Sequence, residues 1–355
     1  MAASSNTSHA QTLARKRNQE LQALLTQLPP CVVPYFNAMT DTKTELTRLG
    51  YAQDLRIFFD YVIEQIPAFH GVALSEIPPE RLRDISGEDI ERYFVSITAY
   101  ERNAQQRSNA VAGKSRKLSA VRTLLQYWFE HGVLDGNVAT MVRHPKARDH
   151  VILRLDVDEA ANLLDLAETG TELTRRQQAF HQRTAVRDLA ILTLFLGTGI
   201  RVSELVGINL NDLDFRNGCV RVTRKGQKQE LVYFAGEVEK ALLGWQELRA
   251  KANPLPGHEQ AFFLSIQRKR ISVRAVENLV EKYAQIVSPL KHISPHKLRS
   301  TFATNLYRET GDIYLVAEVL GHRDVNTTRR HYAAMDEERK RQAAKAVHLR
   351  EEANQ

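Results

Sequence analysis

Apolar residues recur at the spacing of an α-helix through most of this 355-residue chain, and residues 212–235 depart from that pattern. In this stretch Val220, Val222 and Val232 stand among short runs rich in β-branched and aromatic residues, with a turn predicted at 225–228. Helices around one small antiparallel sheet predict a mainly α chain, with an α+β arrangement in its second half.

The first part of the chain is predicted to form a small helical bundle. Helical patterns cover 9–28, 44–66, 86–98 and 114–132, with Ser86 as an N-cap. Residues 135–156 contain Gly136, Pro145 and mixed charges with little periodicity, which is typical of a linker. We therefore expect a helical domain over residues 1–150 and a second domain over residues 151–355.

Helical patterns in the second half lie on both sides of the predicted strands. They cover 156–168, 174–182, 183–196, a short helix containing Arg201 and Glu204, 237–251 and 272–287. A further helix begins after Ser294, a candidate N-cap, with Pro295 in its first turn. His296 and Arg299 then share one face near the helix N-terminus, where free N–H groups attract anions.

The overall charge and the cysteines restrict the class of protein. A net charge of +7 and a pI of about 9.3 favour a polyanionic partner, although many basic proteins bind no nucleic acid. Cys31 and Cys219 cannot form a framework of disulfides and have no metal-ligand spacing. The sequence has no apolar run of membrane-spanning length, no signal-peptide pattern and no ATP-binding motif. We expect a cytoplasmic protein that uses no metal or other cofactor.

Five residues besides Arg299 stand out in the second half, and each of the five has an ordinary explanation when it is taken alone. Arg201 could be a surface charge, and Lys225 could be a solvated residue in a hairpin turn. His296 and His322 could be capping residues, and Tyr332 could be a packing residue. Their occurrence in one order together with Arg299 is much less expected by chance.

These residues lie in segments that resemble one known family, the tyrosine recombinases and integrases. The segments are Gly197-Thr198-Gly199-Ile200-Arg201-Val202-Ser203-Glu204-Leu205, Arg224-Lys225-Gly226-Gln227-Lys228, His296-Lys297-Leu298-Arg299, Leu320-Gly321-His322 and Tyr332. The resemblance covers about residues 156–340, the catalytic domain of that family. The helical first half resembles the core-binding domain of the family in its pattern only.

The resemblance implies a role for each matching residue. Tyr332 is similar to the nucleophile that attacks a DNA phosphodiester and becomes a 3′-phosphotyrosine. Arg201 and Arg299 match the two arginines that hold the scissile phosphate. Lys225 matches the hairpin lysine associated with protonating the 5′-hydroxyl leaving group. No ATP is needed, because the phosphotyrosine conserves the energy of the bond.

The remaining matches concern the two histidines and one acidic residue. His296 and His322 match the family histidines, and Glu204 matches an acidic residue that supports the first arginine and a histidine. The family often has a histidine after its second arginine, where this chain has Ser300. This departure leaves the catalytic set intact and makes the branch of the family less certain.

Length, a Leu-Pro-Pro segment at 28–30 and a helical pattern over 335–349 resemble Xer-type site-specific recombinases. That resemblance implies chromosome dimer resolution, with double-stranded DNA clamped between the two domains and a homotetramer on two DNA sites. It also implies that the last helix docks in a neighbouring protomer. The sequence leaves open whether a DNA translocase activates the enzyme.

Three alternatives stay open. Phage and mobile-element integrases carry the same motifs, and a type IB topoisomerase-like enzyme would share the chemistry without pairing two sites. A DNA-binding protein whose catalytic set has decayed is the alternative that is not an enzyme. The complete set of catalytic candidates argues against this last alternative.

One helix in the first half is a candidate DNA contact. Lys114, Arg116 and Lys117 are predicted to lie off the apolar stripe of the helix over 114–132. We expect them to contact the DNA backbone. The alternative is that they form only a solvated helix face.

Overall fold

The computed structural model describes residues 9–102, 105–144, 153–224, 228–321 and 325. The chain divides into two compact units, Met1–His150 and Val151–Gln355, and each unit has its own apolar core. Both units are mainly helical, and the second contains a small antiparallel sheet, so the predicted fold class is confirmed. In the part of the chain that is described, no helix is long and apolar enough to cross a membrane.

The first unit is a bundle of helices with one short hairpin. Its elements are α1 (His9–Leu25), α2 (Val32–Ala38), α3 (Glu45–Gln65), α4 (Gly87–Ser96), β1 (Ala99–Arg102), β2 (Gln105–Ser108) and α5 (Val111–Glu130). Short 3₁₀ turns occur at Pro67–Phe69, Leu74–Glu76, Pro79–Asp84 and Val138–Thr140. Helix α2 and the hairpin of β1 and β2 were not predicted.

Local capping explains why these helices begin where they do. The Thr44 side chain accepts a hydrogen bond from the N–H of Thr47 at the start of α3. Ser86, the predicted N-cap of α4, forms a reciprocal capping box with Asp89. The bundle then closes around buried aromatic rings, and Trp128 on α5 donates a hydrogen bond of 3.0 Å to the carbonyl of Cys31.

The second unit surrounds its sheet with helices. Its elements are α6 (Val157–Thr169), α7 (Arg175–Thr198), α8 (Val202–Gly207), β3 (Leu213–Asp214), β4 (Cys219–Thr223), β5 (Gln229–Tyr233), α9 (Glu237–Ala250), α10 (Val273–Val287), α11 (Pro295–Thr310) and α12 (Ile313–Leu320), with a 3₁₀ turn at Leu210–Asp212. The prediction of two helices over 174–196 is wrong, since α7 is continuous. Its interior holds no proline or glycine before Gly197 that would interrupt it.

The sheet has the order β3-β4-β5, with antiparallel neighbours. Val220 on β4 pairs with Val232 on β5, and both side chains face the core. Arg221, between Val220 and Val222, points to the other side, as the two-residue period of a strand requires. The hairpin turn was predicted at 225–228, and residues 225–227 of it lie outside the described residues.

The last two helices are packed against each other by a small apolar cluster. Ala303 and Tyr307 on α11 contact Val316 and Leu320 on α12, and all four are buried. Ser294 occupies the predicted N-cap position of α11 with Pro295 in the first turn, although the Ser294 side chain makes no capping hydrogen bond. The helix predicted over 335–349 lies outside the described residues.

Candidate active site

The first component of the site is the start of α8, where Arg201 is the N-cap and Glu204 the third helical residue. The backbone N–H of Arg201 donates to Glu204 Oε2 at 3.0 Å, and Nη1 of its guanidinium donates to Oε1 at 2.7 Å. Glu204 is buried, whereas the Arg201 side chain is 37% exposed. The buried carboxylate therefore fixes the direction of a guanidinium that still reaches the surface.

The second component is the turn that precedes Arg201, which Arg299 on α11 holds in place. Gly199 is the C-cap of α7 with φ 62°, and a Cβ there would lie 2.4 Å from the side chain of Phe302. Nη1 of Arg299 donates to the Gly199 carbonyl at 2.5 Å, and Arg299 is only 5% exposed. Only glycine suits both the backbone angle and the close approach of α11.

The two arginines meet at the C-terminal end of α12. Nη2 of Arg299 donates to the carbonyl of Leu320, and Nη2 of Arg201 donates to the carbonyl of Gly321 at 3.3 Å. The last carbonyls of a helix have no partner within the helix and carry partial negative charge, so they suit guanidinium groups. The fold thus brings the two predicted phosphate-binding arginines to adjacent carbonyls, directly before His322 in the chain.

His296 lies in the first turn of α11, one turn before Arg299, and its side chain is exposed. Ser300 donates its hydroxyl hydrogen bond to the carbonyl of His296 at 3.1 Å. An imidazole and helix N–H groups at one exposed helix start can receive an anion. Lys225, His322 and Tyr332 lie outside the described residues, so their places in the site stay predictions.

Sequence comparison identifies the family. The model of the phage integrase family matches residues 154–339, which include both arginines and Glu204. The tyrosine recombinase XerC of Caldanaerobacter subterraneus subsp. tengcongensis is 30% identical over 353 residues, covering 96% of this chain and 92% of the relative. The chain belongs to the phage integrase family, the tyrosine recombinases. It is a site-specific recombinase.

A second relative and a solved structure agree with this assignment. The tyrosine recombinase XerC of Thermodesulfovibrio yellowstonii is 33% identical to this recombinase over 286 residues, covering 79% of this chain and 83% of the relative. The crystal structure of XerH site-specific recombinase bound to difH substrate has a TM-score of 0.62 at 21% identity, covering 87% of this chain and 81% of the other. The structural similarity supports the shared fold.

A third arginine at this site was missed by the sequence reasoning. Arg224 stands beside Lys225 in the sequence, and its Nη2 donates to the Val319 carbonyl of α12 at 3.1 Å. Its side chain is 8% exposed. The sequence indicated Arg224 through its position next to Lys225. That position does not distinguish a buried arginine from a solvated one.

In the first unit, the predicted DNA-contacting helix is α5, and the expectation that Lys117 lies off its apolar stripe is wrong. Lys117 is 4% exposed, with its Nζ 3.3 Å from Oδ1 of the buried Asp54. Its spacing explains this position, since Val121 and Leu124 follow it by four and seven residues on the buried face of α5. Lys117 therefore belongs to the apolar stripe and not to a solvated face.

The other two residues of α5 that were predicted to contact DNA, Lys114 and Arg116, reach the surface. Arg116 is exposed, lies 2.7 Å from Asp54 Oδ2 and donates to the Gly50 carbonyl at 3.1 Å. The Nζ of Lys114 donates to Thr98 Oγ1 at 2.7 Å and stands 4.4 Å from the ring centre of Phe94. Burial raises the pKa of Asp54, while Lys117 and Arg116 act in the opposite direction. The DNA contacts of Lys114 and Arg116 stay predictions.

A second polar cluster lies in the core of the catalytic unit. Asp188 on α7 accepts hydrogen bonds from Arg187 at 2.6 Å and from the Tyr283 hydroxyl at 3.0 Å, and it pairs with Lys282 at 3.2 Å. Burial and the nearby carboxylate raise the pKa of Tyr283. We interpret this cluster as packing, since its members satisfy one another. Among the described residues, no group of three histidine, cysteine or acidic side chains could hold a metal ion.

Proposed function

We propose that this recombinase cuts and rejoins double-stranded DNA through a 3′-phosphotyrosine on Tyr332. The observation that supports the proposal is the meeting of Arg201 and Arg299 at the end of α12, directly before His322. The Tyr332 oxygen would attack the phosphorus and form a new P–O bond, while the bond to the 5′-oxygen breaks. The 5′-hydroxyl of another strand would then attack the phosphotyrosine and release the tyrosine.

The two arginines suit the charge that develops in this reaction. Attack on a phosphodiester concentrates negative charge on the nonbridging oxygens, and guanidinium groups contact such oxygens in bidentate geometry. Glu204 holds Arg201 through two hydrogen bonds, so the guanidinium needs little reorganisation when the substrate binds. Arg299 would act from a fixed position, since it is buried and donates to two carbonyls.

The reaction also requires two proton transfers. The 5′-oxygen must gain a proton as it leaves, and we assign its donation to Lys225. The tyrosine hydroxyl must lose a proton, because it is a weak nucleophile at its ordinary pKa. We assign His296 and His322 to the surroundings of the phosphate, where an imidazole can accept or share this proton.

In the cell we propose a Xer-type role, the resolution of chromosome dimers during chromosome partition and cell division. The support is the similarity to proteins named XerC over most of the chain. Four copies would assemble on two DNA sites and exchange strands through a Holliday junction. A DNA translocase would activate the enzyme in some versions of this role. Adding a candidate translocase to the purified recombinase and measuring the recombination rate tests this activation.

The test of the chemistry is covalent trapping on DNA that carries a nick beside the scissile phosphate. The short released strand diffuses away, so the protein–DNA adduct accumulates. Wild type should form the adduct, also in the presence of EDTA, and Tyr332→Phe should bind DNA and form none. Tyr314→Phe is a matched control, because Tyr314 on α12 is 72% exposed and has no proposed catalytic role. An adduct with Tyr332→Phe would place the nucleophile elsewhere.

The DNA recovered with the adduct tests the biological role. A single chromosomal site, recombined when two copies are present, supports dimer resolution. Recovery of the ends of a mobile element would support an integrase instead. Relaxed supercoils without recombinants would indicate a topoisomerase-like enzyme, and a wild-type protein that binds but never forms an adduct would indicate a decayed catalytic set.

A further inference from the structure

Arg224 is a buried cation at the candidate active site that the proposed reaction does not use. It follows β4, and its backbone N–H donates to the carbonyl of Lys228 at 2.8 Å across the hairpin. Its Nη1 lies 2.8 Å from Oε2 of Glu230 on β5, and its Nε lies 3.9 Å from Oε1 of Glu204. The guanidinium therefore connects the stem of the hairpin to the carboxylate that orients Arg201.

The other side of Arg224 fits against the end of α12. Its Nη1 lies 1.3 Å from the point that a Cβ on Gly321 would occupy, and Gly321 has φ 62°. The position thus requires glycine for its backbone angle and for the space that the guanidinium fills. Arg224 and Gly321 form a matched pair, because any side chain at 321 would displace the arginine.

Three arginines together receive one helix end. Arg224, Arg299 and Arg201 donate to the successive carbonyls of Val319, Leu320 and Gly321. The Arg224 side chain is 8% exposed and the Arg201 side chain 37% exposed, so Arg224 lies deeper than Arg201. The guanidinium of Arg224 therefore holds the last turn of α12, and the guanidinium of Arg201 contacts the end of the same turn.

We propose that Arg224 is a positioning residue for strand cleavage. It fixes Glu204 and the last turn of α12, so that Arg201 and Arg299 are held where a scissile phosphate binds. Arg224 itself does not contact DNA, because its side chain is enclosed by Glu230, Glu204 and Gly321. The inference rests on the proposed function, since it assumes that the two arginines hold the phosphate.

The test uses a DNA substrate whose scissile phosphate carries a methyl group in place of one nonbridging oxygen. This methylphosphonate is neutral, so its cleavage depends much less on a correctly placed guanidinium. With ordinary DNA, Arg224→Gln should slow single-turnover cleavage by roughly 10- to 100-fold, the usual effect of a small misplacement of catalytic groups. With the methylphosphonate, its rate should approach that of wild type on the same substrate, and DNA affinity should stay unchanged on both.

Two further variants sharpen the comparison. Arg221→Gln is the matched control, since Arg221 lies on β4, the strand that Arg224 follows, and its side chain is 48% exposed. It should cleave both substrates at the wild-type rate. Arg224→Lys should recover little activity on ordinary DNA, because an ammonium group cannot make the separate contacts of a planar guanidinium. It also provides a test if Arg224→Gln does not fold.

Three outcomes would overturn the inference. Equal losses on the two substrates would mean that Arg224 only supports the fold, and an unchanged rate on ordinary DNA would mean that it has no role in cleavage. Full activity of Arg224→Lys would mean that charge alone is needed.

Arg201→Ala separates this inference from the proposed function. If the methylphosphonate fails to relieve Arg201→Ala, the phosphate-binding role itself is wrong. If it relieves Arg201→Ala but not Arg224→Gln, only the role of Arg224 is wrong.

Discussion

At the scale of single residues, the candidate site depends on which groups hold each guanidinium. Arg201 is oriented by a carboxylate three residues away, a contact within one helical turn. Arg299 is oriented by carbonyls at Gly199 and Leu320, which belong to other elements. Arg201 also donates to the Gly321 carbonyl, so each of the two guanidinium groups makes separate contacts that a lysine ammonium group cannot reproduce.

We predict that Arg299→Lys is nearly as damaging as Arg299→Ala. Both should lower the cleavage rate by roughly 100-fold or more, because a lysine cannot donate to two separate carbonyls and still meet a phosphate. DNA affinity should change much less than the rate. Single-turnover cleavage and a binding isotherm on the same DNA measure the two effects, and equal losses would mean that Arg299 only holds the DNA backbone.

The buried pair of Lys117 and Asp54 predicts an effect on stability. Lys117→Ala leaves the buried Asp54 carboxylate without its buried cation, so the free energy of unfolding should fall by about 3 kcal/mol. Arg116→Ala should cost less than Lys117→Ala, because the Arg116 side chain is 47% exposed and water screens its contact with Asp54. Chemical denaturation of the two variants measures both values.

The same variant should show a defined pH dependence. Burial raises the pKa of Asp54, and loss of Lys117 removes an opposing influence, so the folded variant holds the Asp54 proton more tightly than the unfolded chain does. Its stability should therefore fall as the pH rises through the raised pKa of Asp54. The difference from wild type should shrink as the pH is lowered toward about 4, the ordinary range of an aspartate. If the stability difference between Lys117→Ala and wild type stayed constant over this pH range, the raised pKa of Asp54 would not be its cause.

At the scale of elements, α5 combines two surfaces that its sequence does not separate. One face packs into the bundle and includes Lys117, and the other carries Lys114 and Arg116. Lys114 rests on Phe94 and donates to Thr98, so its ammonium group has a defined position near the start of the helix. A defined cation at the surface is suited to a phosphate contact.

We predict that neutralising Lys114 and Arg116 weakens DNA binding and makes it less dependent on salt. Each lost phosphate contact should reduce the slope of log K against log salt by about 1. Lys114→Gln and Arg116→Gln are compared with Lys16→Gln on α1, whose side chain is 73% exposed and for which we propose no DNA contact. An unchanged slope in the α5 variants would mean that Lys114 and Arg116 form only a solvated helix face and do not contact DNA.

At the scale of the whole molecule, the central question is how cleavage is coupled to assembly. The chain has two compact units, and each unit has its own apolar core. A helix exchanged between protomers makes a head-to-tail contact, which closes into a ring when the rotation permits. The proposed tetramer depends on such a contact through residues 337–355, which lie outside the described residues.

We predict that deletion of residues 337–355 leaves binding to a single site nearly intact. Cooperative occupancy of paired sites and recombination should both be lost, because the connection between neighbouring protomers is removed. Gel-shift titrations on one-site and two-site DNA, with a recombination assay, measure these effects. Full recombination by the truncated recombinase would show that the exchanged helix is not needed.

The sequence by itself determined the features that depend on neighbours within a few residues. The capping box of Ser86 and Asp89 and the alternation of β4 depend on contacts or periods of two to three residues, so they can be read from the chain. The contact between Arg201 and Glu204 is likewise local. The order of this motif and the other matching segments along the chain indicated the family. Lys225, His322 and Tyr332 stay predictions from the sequence.

Only the tertiary structure decided which charged side chains are buried and what holds them. Lys117 is buried because Asp54, on another helix, receives it, and Arg224 is buried because Gly321 leaves space for it. The convergence of arginines on the end of α12 likewise joins residues about twenty to more than a hundred positions apart. The free energy of placing a charge inside a protein depends on its partners in space, and the residue types along a chain do not specify those partners.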